Sequence, residues 1–456
     1  MCARRSSRGR VVVRAAVCAA LTASALGVGI ARAGSADPVS RVKAFRVSSV
    51  GSAEMVAAVD SRRGFVYVAG ADDNSRIAVV NERTGAVHLI KAGSAASSVA
   101  VSLRTGDAYI PDGDAGAVTV MKGDRVLGTV KTGAGSYPDS VAVNQSTGRA
   151  YVIDEAGPVL FELSGTAIRR RIPLPGAGSA QVAVDSVNGL VYVLDYGGDA
   201  VYVLKGATVV GDLTVGRSPS DIAIDNTTGL AYVVNQDSDN VSVISADGKR
   251  VIATVQVGGA PQFDAANPKT GDIYVANQGS NSVSVLKRTS VVATVAFPTK
   301  PKVDTPYLPS VDPSNGIVAV STAAGFGVLR DTRLIATRPL SGTTGIDATD
   351  ISVDRVSRRL FLTLSDGELL ELQGPAAPRI DVSAPRSGGR YLLDSALLAS
   401  YHCVAGVNNR VTRCDGTVHD GHPLFTGRVG QHTFTVHAHS AYGSPVTRTV
   451  TYRVIR

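Results

Sequence analysis

Residues Asp221 to Asn235 read D-I-A-I-D-N-T-T-G-L-A-Y-V-V-N, and the same phrase recurs through the chain at nearly constant spacing. Ile222 and Ile224 alternate with Ala223, Asn226 to Gly229 is turn chemistry, and Ala231 to Val234 is a second β-rich run. The stretch is therefore a hairpin. Aligned on the turn glycine, the tyrosine-type residue of the second run falls at Tyr67, Tyr109, Tyr151, Tyr192, Tyr232, Tyr274, Ala319 and Phe361, in steps of 42, 42, 41, 40, 42, 45 and 42. A period of that length defines a repeat array, because one such unit cannot bury its faces alone.

The fifth copy shows the whole unit: Asp221 to Ile224, Leu230 to Val234, Asn240 to Ser245 and Arg250 to Val257 are four short runs separated by Gly, Asn, Asp and Ser. No helical period intervenes, so the class is all-β. The eighth copy stops after three runs, Asp350 to Val353, Leu360 to Leu364 and Glu368 to Leu372, before Gly374-Pro375. Ahead of the first copy, Val42 to Val50 has a strand pattern that belongs to no unit. The spare N-terminal strand is expected to complete the last unit and remove the open edges of the ring. The expectation is an eight-bladed β-propeller over residues 34–374, with seven blades the alternative.

Tyr232-Val233-Val234-Asn235 and Tyr274-Val275-Ala276-Asn277, each after an Asp/Asn-x-x-x-Gly turn, resemble the YVTN-type β-propeller repeat of secreted and surface proteins. The resemblance covers residues 42–373 and implies a ring of seven blades, as is common in that family. Ala319, Arg358 and the segment Pro298 to Pro309 depart from its pattern.

Five arginines precede or enter an apolar run from Ala15 to Ile30, and Ala31-Arg32-Ala33 then fits a small-x-small cleavage site. Residues 1–33 read as a secretory signal peptide. That leader holds six arginines and no acid, so its removal lowers the formal charge from +8 to +2 and takes away the main support for a nucleic-acid partner. The mature chain is expected to have no membrane span and to be a monomer. It keeps two cysteines, Cys403 and Cys414, which an oxidising compartment would be expected to join.

Residues 375–456 lose the period and open with Pro375-Ala376-Ala377-Pro378. Alternating runs at Arg379 to Val382, Ala396 to Val404, His432 to Ala438 and Val446 to Val454 indicate a small β-sandwich. The segments Ala399 to Cys403, Arg413 to Gly416 and Gly430 to Val436 resemble the Ig-like modules appended to bacterial secreted proteins. The resemblance implies a spacer or adhesion role.

In a propeller of this strand order, the connections between second and third strands share one face with the linkers between blades. These connections are rich in carboxylates: Asp72, Asp112, Asp114, Asp154, Asp195, Asp199, Asp237 and Asp239 are the candidate ligand-binding residues. Carboxylates converging on a channel mouth suit Ca²⁺ or a hydroxyl-rich ligand. Asp is equally favoured in tight turns for backbone reasons. Only His88 lies in the propeller, which leaves one candidate for haem ligation or histidine-based lyase chemistry. His437 and His439, two apart on a strand, would bind Zn²⁺ if His432, His419 or His422 approached. No phosphate loop or nucleophile elbow occurs, and no catalytic residue is assigned. These features lead to a secreted or cell-surface binding protein that presents propeller loops to a protein, glycan or wall ligand, without a cofactor unless calcium is held. The alternative is an extracellular metal-dependent lactonase, hydrolase or lyase using the channel.

Overall fold

A computed structural model of the chain describes residues 40–47, 55–70, 76–91, 96–176, 179–298, 305–312, 316–322, 325–339, 348–354, 356–357, 359–373, 376–441 and 445–456. The expected signal peptide, Arg358, and residues 48–50 of the spare strand lie outside them. The chain is all-β, and residues 40–373 form eight antiparallel sheets of four strands each, an eight-bladed propeller.

Blade 5 shows how the repeat produces its shape. Its strands are Pro219–Asp225, Leu230–Asn235, Asn240–Ile244 and Val251–Gln256, numbered outward from the innermost. Asp225 closes the first turn: its carboxylate accepts the Thr227 amide at 2.8 Å and the Thr228 hydroxyl at 2.6 Å, while Gly229 donates its amide to the Asp225 carbonyl. Gly229 has a φ of 75°, where glycine costs least. The recurrent tyrosine stands at the centre of the second strand. Tyr67, Tyr109, Tyr192, Tyr232 and Tyr274 are all fully buried, and the Tyr109 hydroxyl accepts the Gly165 amide of the next blade at 3.0 Å.

The cores lie between blades. Tyr232, Val234, Val241 and Val243 of blade 5 share one cluster with Ile273, Val275 and Leu286 of blade 6 (residues 261–296). On its other face, blade 5 contributes Ile222, Ala231 and Val233 to a cluster with Tyr192, Val201 and Val203 of blade 4 (residues 179–214). Each blade is thus half of two cores.

The ring closes as the spare strand suggests. Ser40–Arg46 runs antiparallel to Glu368–Gln373 as the outermost strand of blade 8, beside Arg359–Leu364 and Ala348–Val353. It begins two residues earlier than the sequence pattern indicates. Phe45 and Val47 pack with Phe361 and Leu369 of blade 8 and with Met55 and Val66 of blade 1 (residues 55–91). On the inner side, the Asp350 carboxylate accepts the Ala57 amide at 2.6 Å and the Thr349 hydroxyl donates to the Met55 carbonyl at 2.9 Å.

Beyond the ring, Arg379–Ala384 pairs with Ser400–Val404, and Arg390–Leu392, Val446–Ile455, Gly430–Ser440 and Val411–Gly416 form a second sheet in that order. The two enclose a core of Ile380, Tyr401, Phe434, Val436, Tyr452 and Val454. Two of these strands escape the sequence pattern. Arg390–Leu392 is three residues long and runs parallel to the last strand, and Val411–Gly416 carries only Val411 as an aliphatic side chain. Cys403 and Cys414 are bonded, with Cα atoms 5.9 Å apart, and link the adjoining edges of the two sheets. Asn408 donates its side-chain amide to the Gln373 carbonyl at 2.8 Å, and Arg330 of blade 7 (residues 306–339) donates to the Ala441 carbonyl at 2.9 Å.

A chain that starts at Gly51 is expected to melt at a lower temperature and to aggregate, because the edge of Glu368–Gln373 is then bare. Phe45→Ala alone should cost about 3–4 kcal/mol by denaturant unfolding.

Candidate functional site

The loop-bearing face is built from hydrogen bonds between second-to-third-strand connections and inter-blade linkers. Asp199, Asp239 and Asn281 hold the same place in blades 4, 5 and 6, with φ values of 50°, 53° and 47°. Asp and Asn tolerate this left-handed region better than most residues. Their carbonyls accept the amides of Val215, Val257 and Phe297 in the following linkers at 2.9, 3.0 and 2.9 Å. Their side-chain oxygens accept amides further along, from Ser218 at 2.8 Å, Ala260 at 2.7 Å and Thr305 at 3.3 Å. These residues latch each loop to the linker that follows.

The other candidate carboxylates are distributed around the same face. Asp154 accepts the Tyr137 amide at 2.7 Å, the Ala156 amide at 3.0 Å and the Ser136 hydroxyl at 2.8 Å. Asp195 accepts the Gly198 amide at 2.9 Å and the Tyr202 hydroxyl at 3.0 Å, and Asp112 accepts the Ala115 amide at 3.1 Å. Asp237 is exposed and accepts the Ser218 hydroxyl at 2.7 Å. Asp114 is exposed at its loop tip, and Asp72 lies outside the described residues. Among the described residues, no three of His, Cys, Asp and Glu gather as a cation cluster. His437 meets Thr447 at 2.9 Å, His432 lies between Phe425 and Tyr452 with ring centres 5.5 Å from each, and His88 faces Asp124 at 3.1 Å.

In blade 3 (residues 138–173) the face holds a cavity of about 500 Å³, lined by the linker 132–136, Asp154, Gly157, Phe161 and Arg171. The Arg171 guanidinium lies over the buried Phe161 ring, 5.2 Å from its centre, and donates to the Thr132 carbonyl at 2.5 Å. Asp154 fixes the opposite wall through Ser136 and Tyr137. A cation, hydroxyls and glycine-rich backbone thus converge on one space.

The inner wall of the ring, on the innermost strands and, in blade 2, just ahead of Ala100–Val101, carries a set of groups that sequence patterns pass over. Ser98, Ser140, Asp221 and Asp350 occupy equivalent places, and each accepts the backbone amide of the next blade: Val141 at 3.3 Å, Val182 at 3.3 Å, Asp264 at 3.0 Å and Ala57 at 2.6 Å. The Gln181 side chain donates to Asp221 at 2.7 Å. Asp264, on the inner strand of blade 6, has both carboxyl oxygens buried and without a hydrogen-bond partner. Burial, then the neighbouring Asp221 charge, holds its pKa well above the ordinary carboxylate range. Burial likewise pushes Asp221 and Asp350 up to about 6. At the blade 8–blade 1 seam, burial and then Asp354 push Glu82 up to about 8. For Asp221, Asp264 and Asp350 the signal in the sequence is an acid within an inner-strand run.

No family model matches the sequence, and no curated protein does. Among solved structures, the dihydro-heme d1 dehydrogenase NirN matches with a TM-score of 0.52 at 11% identity, over 62% of this chain and 66% of that one, just under two thirds of its length. Virginiamycin B lyase from Staphylococcus aureus matches with a TM-score of 0.50 at 12% identity, over 60% of this chain and 94% of that one. At these identities the likeness is one of fold. Among the described residues no helix is long and apolar enough to cross a membrane.

Two predictions follow from the carboxylates. Asp154→Ala leaves two amides and a hydroxyl without their acceptor and should cost about 2–4 kcal/mol, whereas Asp114→Ala should stay within about 0.5 kcal/mol by denaturant melts. The raised carboxyls keep protons in the folded state that the unfolded chain, with carboxyls near about 4, has released. Their contribution is complete below that value and is lost as pH rises through about 6 for Asp221 and Asp350 and about 8 for Glu82. The melting temperature should therefore fall between pH 5 and pH 8, and Asp264→Asn, which mimics the protonated acid, should flatten that decline.

Proposed function

We propose that the chain is a secreted or cell-surface binding protein that takes its ligand on the latched face of the propeller, at the blade 3 cavity. The observation that carries this reading is the cavity itself: its volume lies within the roughly 300–1,000 Å³ range of ligand sites, and both walls are fixed by hydrogen bonds that need no ligand to form. Such preorganisation lowers the ordering cost of binding. Arg171, Ser136 and the glycine-rich linker suit a glycan or wall fragment carrying hydroxyl and carboxylate groups. The YVTN-type repeat pattern and the apolar leader support secretion, and the bonded cysteines accord with an oxidising compartment. The C-terminal β unit is read as an Ig-like module acting as spacer or adhesion domain.

Calorimetry with wall-derived oligosaccharides tests the reading. Gly157→Trp should weaken binding by at least about tenfold while leaving the melting temperature unchanged, because a Cβ at Gly157 meets no atom within 4 Å. Equal binding by this variant and by Asp114→Ala/Asp237→Ala would refute it.

A second reading has its own observation. Asp264, whose carboxyl oxygens are buried without a hydrogen-bond partner, lies beside Asp221 of the adjoining inner strand, and burial followed by the Asp221 charge raises its pKa, the kind of paired carboxyl that channel-based lactonase, hydrolase or lyase chemistry uses. Two propeller proteins whose names denote enzymes share the fold. A lactone-hydrolysis screen that finds activity abolished in Asp264→Asn supports this reading, and a rise in melting temperature at millimolar calcium would support its metal-dependent form.

A further inference from the structure

The C-terminal four-stranded sheet has one face in the core and one in water. Along Gly430–Ser440 and Val446–Ile455, Phe434, Val436, Val450 and Tyr452 point inward, so the residues between them point out. On the outer face Thr433 opposes Thr451 and Thr435 opposes Thr449, with the hydroxyls of the second pair 3.0 Å apart. At one end of this ladder Gln431, Arg453 and Arg390 stand side by side on three neighbouring strands.

The two arginines define the site. They are register partners on adjacent strands, both are exposed, and neither guanidinium meets a carboxylate or any other hydrogen-bond acceptor among the described residues. Like charges placed opposite one another in a sheet are unfavourable, and an anion bound across them offsets the repulsion. Three of the four acids of the unit are engaged elsewhere: Asp381 pairs with Arg379, Asp415 with Arg413, and Asp420 accepts the Tyr401 amide, while Asp394 is exposed in the turn that follows Arg390–Leu392. The basic residues after Gly374 are nine arginines and no lysine, against four aspartates. Arginine is the side chain that grips a planar carboxylate with two parallel hydrogen bonds.

We propose that this face binds an acidic polysaccharide, with a uronate-type carboxylate on Arg390 and Arg453 and sugar hydroxyls along the Gln431, Thr433/Thr451 and Thr435/Thr449 ladder. Arg453 to Thr449 spans about 13 Å of strand, long enough for an extended chain to lie along it. The composition selects the polymer: four threonines and a glutamine accompany two unpaired arginines, so the surface offers more groups to hydroxyls than to charge. A single-stranded nucleic acid would want aromatic platforms for its bases, and this part of the face has none. The site lies on the C-terminal unit and does not use the blade 3 cavity.

The test is calorimetric titration of the mature chain, residues 34–456, with polygalacturonate at low salt. Arg390→Gln/Arg453→Gln should weaken binding by at least about tenfold with an unchanged melting temperature, since both residues are on the surface. Thr433→Val/Thr449→Val, which keeps the charges and the β-branched shape, should weaken it by about threefold or more through lost hydrogen bonds. Gly157→Trp should bind polygalacturonate as the parent does, which separates this site from the propeller ligand. The proposal fails if polygalacturonate does not bind, if the arginine pair can be removed without effect, or if double-stranded DNA or a glycerol-phosphate polymer binds equally well.

Discussion

A blade of this propeller has no core of its own. Tyr232 and Val234 are buried only because Ile273 and Val275 of the next blade cover them, and the same holds around the ring. Stability is therefore a sum of interfaces, each complete only when both neighbours are in place. Phe45 and Val47 matter beyond their size for this reason: they finish the one interface whose two sides come from opposite ends of the repeat region.

The ring architecture also determines what the acids do. In the loops, Asp199 and Asp239 serve backbone geometry, each stabilising a left-handed turn and tying it to a linker. On the inner strands, Asp221 and Asp350 bridge blade to blade, where burial raises their affinity for protons. A side chain of one type therefore serves turn geometry at one radius of the ring and blade-to-blade bonding at another. Burial of the inner carboxyls raises their affinity for protons and ties stability to pH.

Much of this fold is legible in the sequence because it rests on local signals repeated many times. The turn from Asp225 to Gly229 and the tyrosine three residues later mark the hairpin, and the missing fourth run after Leu372 marks the closure. The short strand Arg390–Leu392 leaves no such trace, since three residues cannot establish an alternation and its partner lies at the far end of the unit. Val411–Gly416 is hidden for another reason: as an edge strand tethered by Cys414, it needs little apolar surface. The candidate sites are less legible still. Asp154 is recognisable as a loop acid, but its service to Ser136 and Tyr137 depends on a linker that packs beside it in space. Asp264 stands out only as an acid within an inner strand, and nothing local reveals its neighbour Asp221, which belongs to another blade.

The outermost strand of the last blade is the first stretch of the propeller to be synthesised. Its partner, Glu368–Gln373, emerges after every other blade. The amino-terminal segment must wait unpaired while the rest of the ring assembles. Closing so long a loop delays the final pairing, since the entropy is lost before the contact rewards it. The order of synthesis thus makes closure a checkpoint: a chain interrupted before Glu368–Gln373 cannot complete its ring.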